Sequence, residues 1–194
     1  MNKLVSCLVK KISETNSQFT ELELKKMEYG LVCLFDEVTK IIPYYIIFYL
    51  FSLQQYYIVI FAFFCPIRLF SGGFHAKTYC GCFFISFVTF CVMIIIGKYI
   101  TINSLTSTLV LIISVLLVYI FSPVDNVNKR IKGKDRRNKL KCLSVVTTSL
   151  LSGTCYIIPD KFFTTAVLAI FIAVMMMMMG YINNNNDKYC SSDN

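Results

Sequence analysis

Residues 79–100 read Tyr79-Cys80-Gly81-Cys82-Phe83-Phe84-Ile85-Ser86-Phe87-Val88-Thr89-Phe90-Cys91-Val92-Met93-Ile94-Ile95-Ile96-Gly97-Lys98-Tyr99-Ile100. Lys98 is the only charged side chain in this run, whose length matches the ~20 residues a helix needs to cross a bilayer. Inside a bilayer every backbone N–H and C=O must be satisfied within the chain, so a lone apolar run of this kind is a helix. The whole chain, 194 residues, is 56% hydrophobic with a mean hydropathy of +0.64. The expected fold is therefore all-α: a polytopic membrane helical bundle of about six helices, preceded by an N-terminal amphipathic helix.

Working outward, Thr101-Ile102-Asn103-Ser104 makes a turn into a second apolar run, Leu105 to Phe121. A basic loop is expected from Ser122 to Lys141. A further hairpin follows, with arms Leu143 to Ile158 and Phe162 to Ile182 joined through Pro159-Asp160. The Ser, Thr and Gly153 of its first arm suit close helix packing. Met175 to Met179 fills a helix face, and Asn183 to Asn186 is expected to end that helix, leaving residues 183–194 as a flexible tail.

On the N-terminal side, Ile41 to Cys65 is apolar and aromatic, interrupted by Pro43 and by Gln54-Gln55. It reads as one span with a polar contact or as a bent pair of half-helices. Before it, Leu24, Met27, Leu31, Leu34 and Val38 recur at helical spacing behind the capping pair Thr20 and Glu23. Residues 1–17 form the amphipathic helix, with Val5, Leu8, Val9 and Ile12 on one face, and it should lie on the membrane. Lysines and acids interleave through the first forty residues, which is no cleavable signal peptide. The chain reads as a single integral membrane domain, 1–194.

Between Lys129 and Lys141 stand eight basic residues and one acid, Asp135, supplying +7 of the net charge of +8. In a loop between spans this is a topology signal that places the segment in the cytoplasm, and it excludes nucleic acid as the partner. Returning each hairpin to its starting side puts the C-terminal tail and the segment around His75 in the cytoplasm too. An even number of crossings must then precede Arg68, which is met if the Leu24 helix crosses as well as a single Ile41 to Cys65 span.

The chemistry gathers just before the quoted span, in Arg68-Leu69-Phe70-Ser71-Gly72-Gly73-Phe74-His75-Ala76-Lys77-Thr78. His75 is the only histidine and Gly72-Gly73 the only Gly-Gly pair. A histidine beside a cysteine makes a nucleophile: the imidazole takes the thiol proton and the thiolate attacks a carbonyl. His75 and Cys82 are seven apart, ~10.5 Å along an unbroken helix, so the backbone must bend between them. Gly72-Gly73 can break the preceding helix, and Thr78 can cap a new one that carries Cys82 in its first turns, where the helix dipole favours a thiolate. Cys80 is a competing nucleophile, and Ser71 with His75 is a second pairing. A zinc site from His75, Cys80 and Cys82 lacks the usual spacing, so no metal and no cofactor are expected. The nine cysteines are odd in number and scattered through apolar sequence, and read as reduced.

At Arg68, Ser71-Gly72-Gly73, His75-Ala76 and Cys82 the sequence resembles the accessory gene regulator protein B family, membrane cysteine endopeptidases that process quorum-sensing propeptides in Gram-positive bacteria. Tyr29-Gly30, the motif, two helices, a basic loop near Pro123 and two more helices extend the likeness over most of the chain. The resemblance implies that Cys82 attacks a peptide carbonyl with His75 as base, and that the acyl-enzyme passes to a Cys or Ser of the same peptide, closing a thiolactone or lactone. It implies roles in substrate binding or oxyanion support for Arg68, Gly72 and Gly73. It also implies a propeptide partner whose amphipathic leader lies on membrane lipid and whose acidic tail meets the basic segment, Lys129 and Arg130 included. Glu28, Asp36, Glu37 and Asp125 are the candidates to orient His75. A homodimer is expected, at the cell membrane with the site facing the cytoplasm. The alternative is a non-enzymatic transporter or partner-binding subunit.

Overall fold

The computed structural model describes residues 2–15, 20–73, 78–124 and 133–190, and these contain seven helices and no strand. They are α1 (Asn2–Thr15), α2 (Glu21–Leu50), α3 (Gln54–Ser71), α4 (Tyr79–Tyr99), α5 (Ser104–Phe121), α6 (Lys134–Thr154) and α7 (Asp160–Cys190). One helix precedes six others, as expected for an all-α bundle. Among the described residues three stretches are long and apolar enough to cross a membrane: Cys80–Tyr99, Ser104–Phe121 and Asp160–Asn183.

The chain divides into two compact units, Met1–Phe51 and Ser52–Asn194. In the first, α1 packs on α2, and the amphipathic pattern is visible in its burial. Val5 and Val9 are buried while Lys10 and Lys11 are exposed, but Ile12 of the expected apolar face is exposed as well.

Two expectations for α2 and α3 are corrected. The Leu24 pattern and the start of the Ile41 run belong to one helix of 30 residues, which carries Pro43 inside it without breaking. A proline inside a helix forfeits one hydrogen bond, and here the helix continues through it. The break falls instead at Phe51-Ser52-Leu53, with Ser52 at φ 56, so of the two readings of Ile41 to Cys65 the single span fails and the run is divided between two helices. Gln54 and Gln55 open α3 rather than interrupting a helix.

In the second unit α7 is the axis. Half of its span is buried, against 22% for the spans of α4 and α5, and it packs on α3, α4, α5 and α6. Ala166, Val167, Ala169, Ile170, Ala173, Val174 and Met177 are at most 1% exposed, a helix apolar on nearly all sides as a central position requires. α7 meets α4 where Gly97 lies against Thr165, and a Cβ at Gly97 would overlap the Thr165 hydroxyl. Tyr57 and Phe64 of α3 pack their rings on Phe90 of α4, at 5.9 and 5.5 Å between centroids.

The contacts fix which ends lie together. Tyr56 near the start of α3 packs on Phe162 near the start of α7, and the N–H of Ile102 donates to Thr164 Oγ1 at 3.4 Å. Tyr156, just past α6, pairs its hydroxyl with Thr108 Oγ1 at 2.7 Å. At the opposite end Phe121 packs on Tyr181, and Lys141 Nζ stands 4.8 Å from the Tyr119 ring. The Gly72-Gly73 turn, the start of α4, the end of α5 and the basic start of α6 therefore share one end of this unit. α3 runs its length beside α7, about 27 Å for 18 residues.

Helix α6 begins at Lys134, so the basic segment is only partly a loop; Lys134, Arg136, Arg137, Lys139 and Lys141 are helical. Its hydroxyls meet their needs within the helix: Ser144, Thr148 and Ser152 each donate to the carbonyl four residues back at 2.8 Å. α7 runs on through Asn183–Asn186 to Cys190, so the asparagines do not end it.

Candidate active site

Helix α3 ends where its carbonyls find new donors. The N–H of Gly72 donates to Arg68 O at 3.1 Å, and the N–H of Val124 donates to Ser71 O at 2.9 Å. Arg68 Nη1 and Ser71 Oγ both donate to the carbonyl oxygen of Gly72, each at 3.2 Å. Gly72 takes φ 73 and Gly73 φ 139, where side chains are strained, so the helix break expected from the Gly-Gly pair is the one found. Space is as restrictive as conformation. A Cβ on Gly72 would lie 2.6 Å from Val124 O, and one on Gly73 would overlap Arg68 Nη1 and stand 3.1 Å from Met176 O.

The chain resumes at Thr78, the N-cap of α4, whose side chain accepts from Gly81 N at 3.2 Å while its carbonyl accepts from Cys82 N at 3.0 Å. Cys82 thus stands in the opening turns of α4, as the cap predicts. It is half-buried and Cys80 is exposed. Residues two apart on a helix do not share a face, so these two sulfurs point in different directions.

Ser71 is fully buried and its hydroxyl is engaged with Gly72 O, which removes the basis for a serine nucleophile. His75, Lys129, Arg130 and Asp125 lie outside the described residues. So do the side chains of Asp36 and Glu37 on α2, where Glu28 is half-buried. Among the described residues no group of three His, Cys, Asp or Glu is gathered to hold a metal.

Sequence reasoning missed Val124 and Met176. Both act here through the main chain, which leaves no residue-type signal, although the methionine run had stood out. Val124 also belongs to a core cluster with Val118, Val174 and Met177, so the strand of chain leaving α5 is anchored by packing as well as by its bond to Ser71.

Described residues that are helical throughout their elements, with three membrane-length apolar helices among them and a cysteine at a capped helix start behind a clamped glycine turn, define a membrane protein with one prepared end. The Accessory gene regulator B family model matches residues 1–180, and the chain belongs to that family. Membership gives it a role in quorum-sensing peptide processing. An AgrB-like protein of Clostridium acetobutylicum is 28% identical over 167 residues, covering 86% of this chain and 79% of that one. One of Clostridium beijerinckii is 24% identical over 160 residues, covering 82% and 79%. No solved structure matches.

Proposed function

We propose that the protein is a cysteine endopeptidase that cleaves a quorum-sensing propeptide and passes the acyl group on for ring closure. The observation that carries this reading is the position of Cys82 in the opening turns of α4, behind the Thr78 cap. His75 is three residues before Thr78, and at ~3.6 Å per extended residue its backbone is tethered within roughly 11 Å of that cap. The helix start favours negative charge, both on the sulfur and on the carbonyl oxygen it attacks.

In the reaction His75 takes the Cys82 proton and the sulfur adds to the peptide carbonyl. The C–N bond breaks, the leaving amine takes the proton from His75, and a thioester remains on Cys82. A thiol or hydroxyl within the same peptide then displaces Cys82, closing the ring and returning the enzyme thiol. The thioester survives for this step only where water is kept away, which a site at the membrane boundary favours. The end of the bundle that carries the site faces the cytoplasm, because the basic start of α6 is at that end. Lys129 and Arg130, with the helical bases that follow, attract an acidic propeptide tail. The protein acts as a homodimer at the cell membrane.

Co-expression with an accessory gene regulator propeptide tests the chemistry. Cys82→Ala should abolish cleavage and Cys80→Ala should leave it. The reverse outcome moves the nucleophile to Cys80, and cleavage that survives both changes overturns the reading.

A further inference from the structure

We infer that Arg68 is a positioning residue, whose guanidinium clamps the Gly72-Gly73 peptide so that the segment entering α4 starts in a fixed direction. The inference rests on the endopeptidase reading for its consequence, but its structural part stands on contacts around the turn.

The turn is held from three elements. From α3, Arg68 Nη1 donates to Gly72 O at 3.2 Å and fills the place where a side chain on Gly73 would begin. From the chain leaving α5, Val124 N donates to Ser71 O at 2.9 Å, while Val124 O covers the Cα of Gly72. From α7, the carbonyl of Met176 closes the side of Gly73. The far end of the connection is fixed as well, by the Thr78 cap on α4.

Only residues 74–77 lie between these two fixed ends, and His75 is one of them. Holding Gly73 against Arg68 and Met176 fixes the direction in which the chain leaves α3. Order of this kind, set when the protein folds, lowers the entropic barrier to bringing an imidazole and a thiol together. A lysine at position 68 can give a single bond to Gly72 O, but it lacks the planar guanidinium that both donates and fills the space beside Gly73.

The experiment compares full-length wild type, Arg68→Ala and Arg68→Lys in lipid nanodiscs, by hydrogen exchange and by cleavage of an accessory gene regulator propeptide. A positioning role predicts that amides of the 72–78 peptide exchange about tenfold faster in Arg68→Ala, with α5 and α7 unchanged. It also predicts a fall in kcat at constant KM, partly restored in Arg68→Lys. Unchanged exchange in 72–78, or a loss confined to KM, overturns the inference and makes Arg68 a substrate contact. Cleavage that persists in Cys82→Ala would sink the nucleophile assignment alone, since the exchange result does not depend on it.

Discussion

The main-chain N–H of Val124 donates to the carbonyl oxygen of Ser71 at 2.9 Å, tying the segment that leaves α5 to the last residue of α3. Val124→Pro deletes that donor and leaves a buried carbonyl unmatched, at a cost of about 1–3 kcal/mol. Val124→Ala keeps the N–H and loses only packing. The proline variant should lower the melting temperature and speed amide exchange around Gly72, whereas the alanine variant should lower the melting temperature alone. Equal exchange in the two would show that the bond does not hold the turn.

Glycines in this chain are not equivalent. Gly72→Ala meets both a left-handed φ of 73 and the Val124 carbonyl, and should cost roughly 1–2 kcal/mol from conformation alone. Gly153 is helical with nothing within 4 Å of a Cβ, so Gly153→Ala should gain up to about 1 kcal/mol and leave cleavage untouched. Thermal melts of the two variants side by side give the comparison, and a harmless Gly72→Ala would refute the close approach.

Cysteine labelling should follow exposure. Cys80 and Cys142 are exposed, and Cys155 is fully buried in the turn after α6. A membrane-impermeant maleimide applied to inside-out vesicles should modify Cys80 and Cys142 together, because both lie at the end that carries the site. Cys155 should react only after denaturation. Labelling of Cys142 from intact cells would reverse the proposed orientation.

Where α4 crosses α7, Gly97→Leu should be destabilising by about 1–3 kcal/mol, since its side chain would be driven into Thr165. Thr165→Ala combined with Gly97→Ala should recover part of the loss caused by Gly97→Ala alone. A double-mutant cycle in nanodiscs reads the coupling, and strict additivity would mean that the helices are further apart than described.

Replacing Lys134, Arg136, Arg137 and Lys139 by glutamate should slow cleavage of a propeptide with an acidic tail, and added salt should shrink the difference from wild type. The same replacement should matter little for a propeptide whose tail carboxylates have been amidated. Processing that is unaffected at low salt would leave these charges as topology signals only.

The sequence was most informative where polarity changes abruptly. Residues 79–100 and 105–121 are bounded by a cap and a turn, and the helices Tyr79–Tyr99 and Ser104–Phe121 follow those limits closely. The Thr78 cap was legible for the same reason, because a hydroxyl ahead of an apolar run has one obvious use. The break at 51–53 was half legible: Gln54-Gln55 marked a point where the run could bend, but the proline at 43 offered a more familiar and wrong place to stop. Charge misled at α6, where Lys and Arg are good helix formers and the helix begins well before the apolar stretch. The asparagines misled at α7, because extending an existing helix costs far less than starting one. The strap at Val124 left no trace at all, for any residue but proline could supply its N–H.

Every long helix in the second unit leans on α7, which comes last of them in the chain. During synthesis the apolar spans of α4 and α5 are made before the partner they share, α7, exists. The helices that pack on α7 can complete their packing only once α7 has been made.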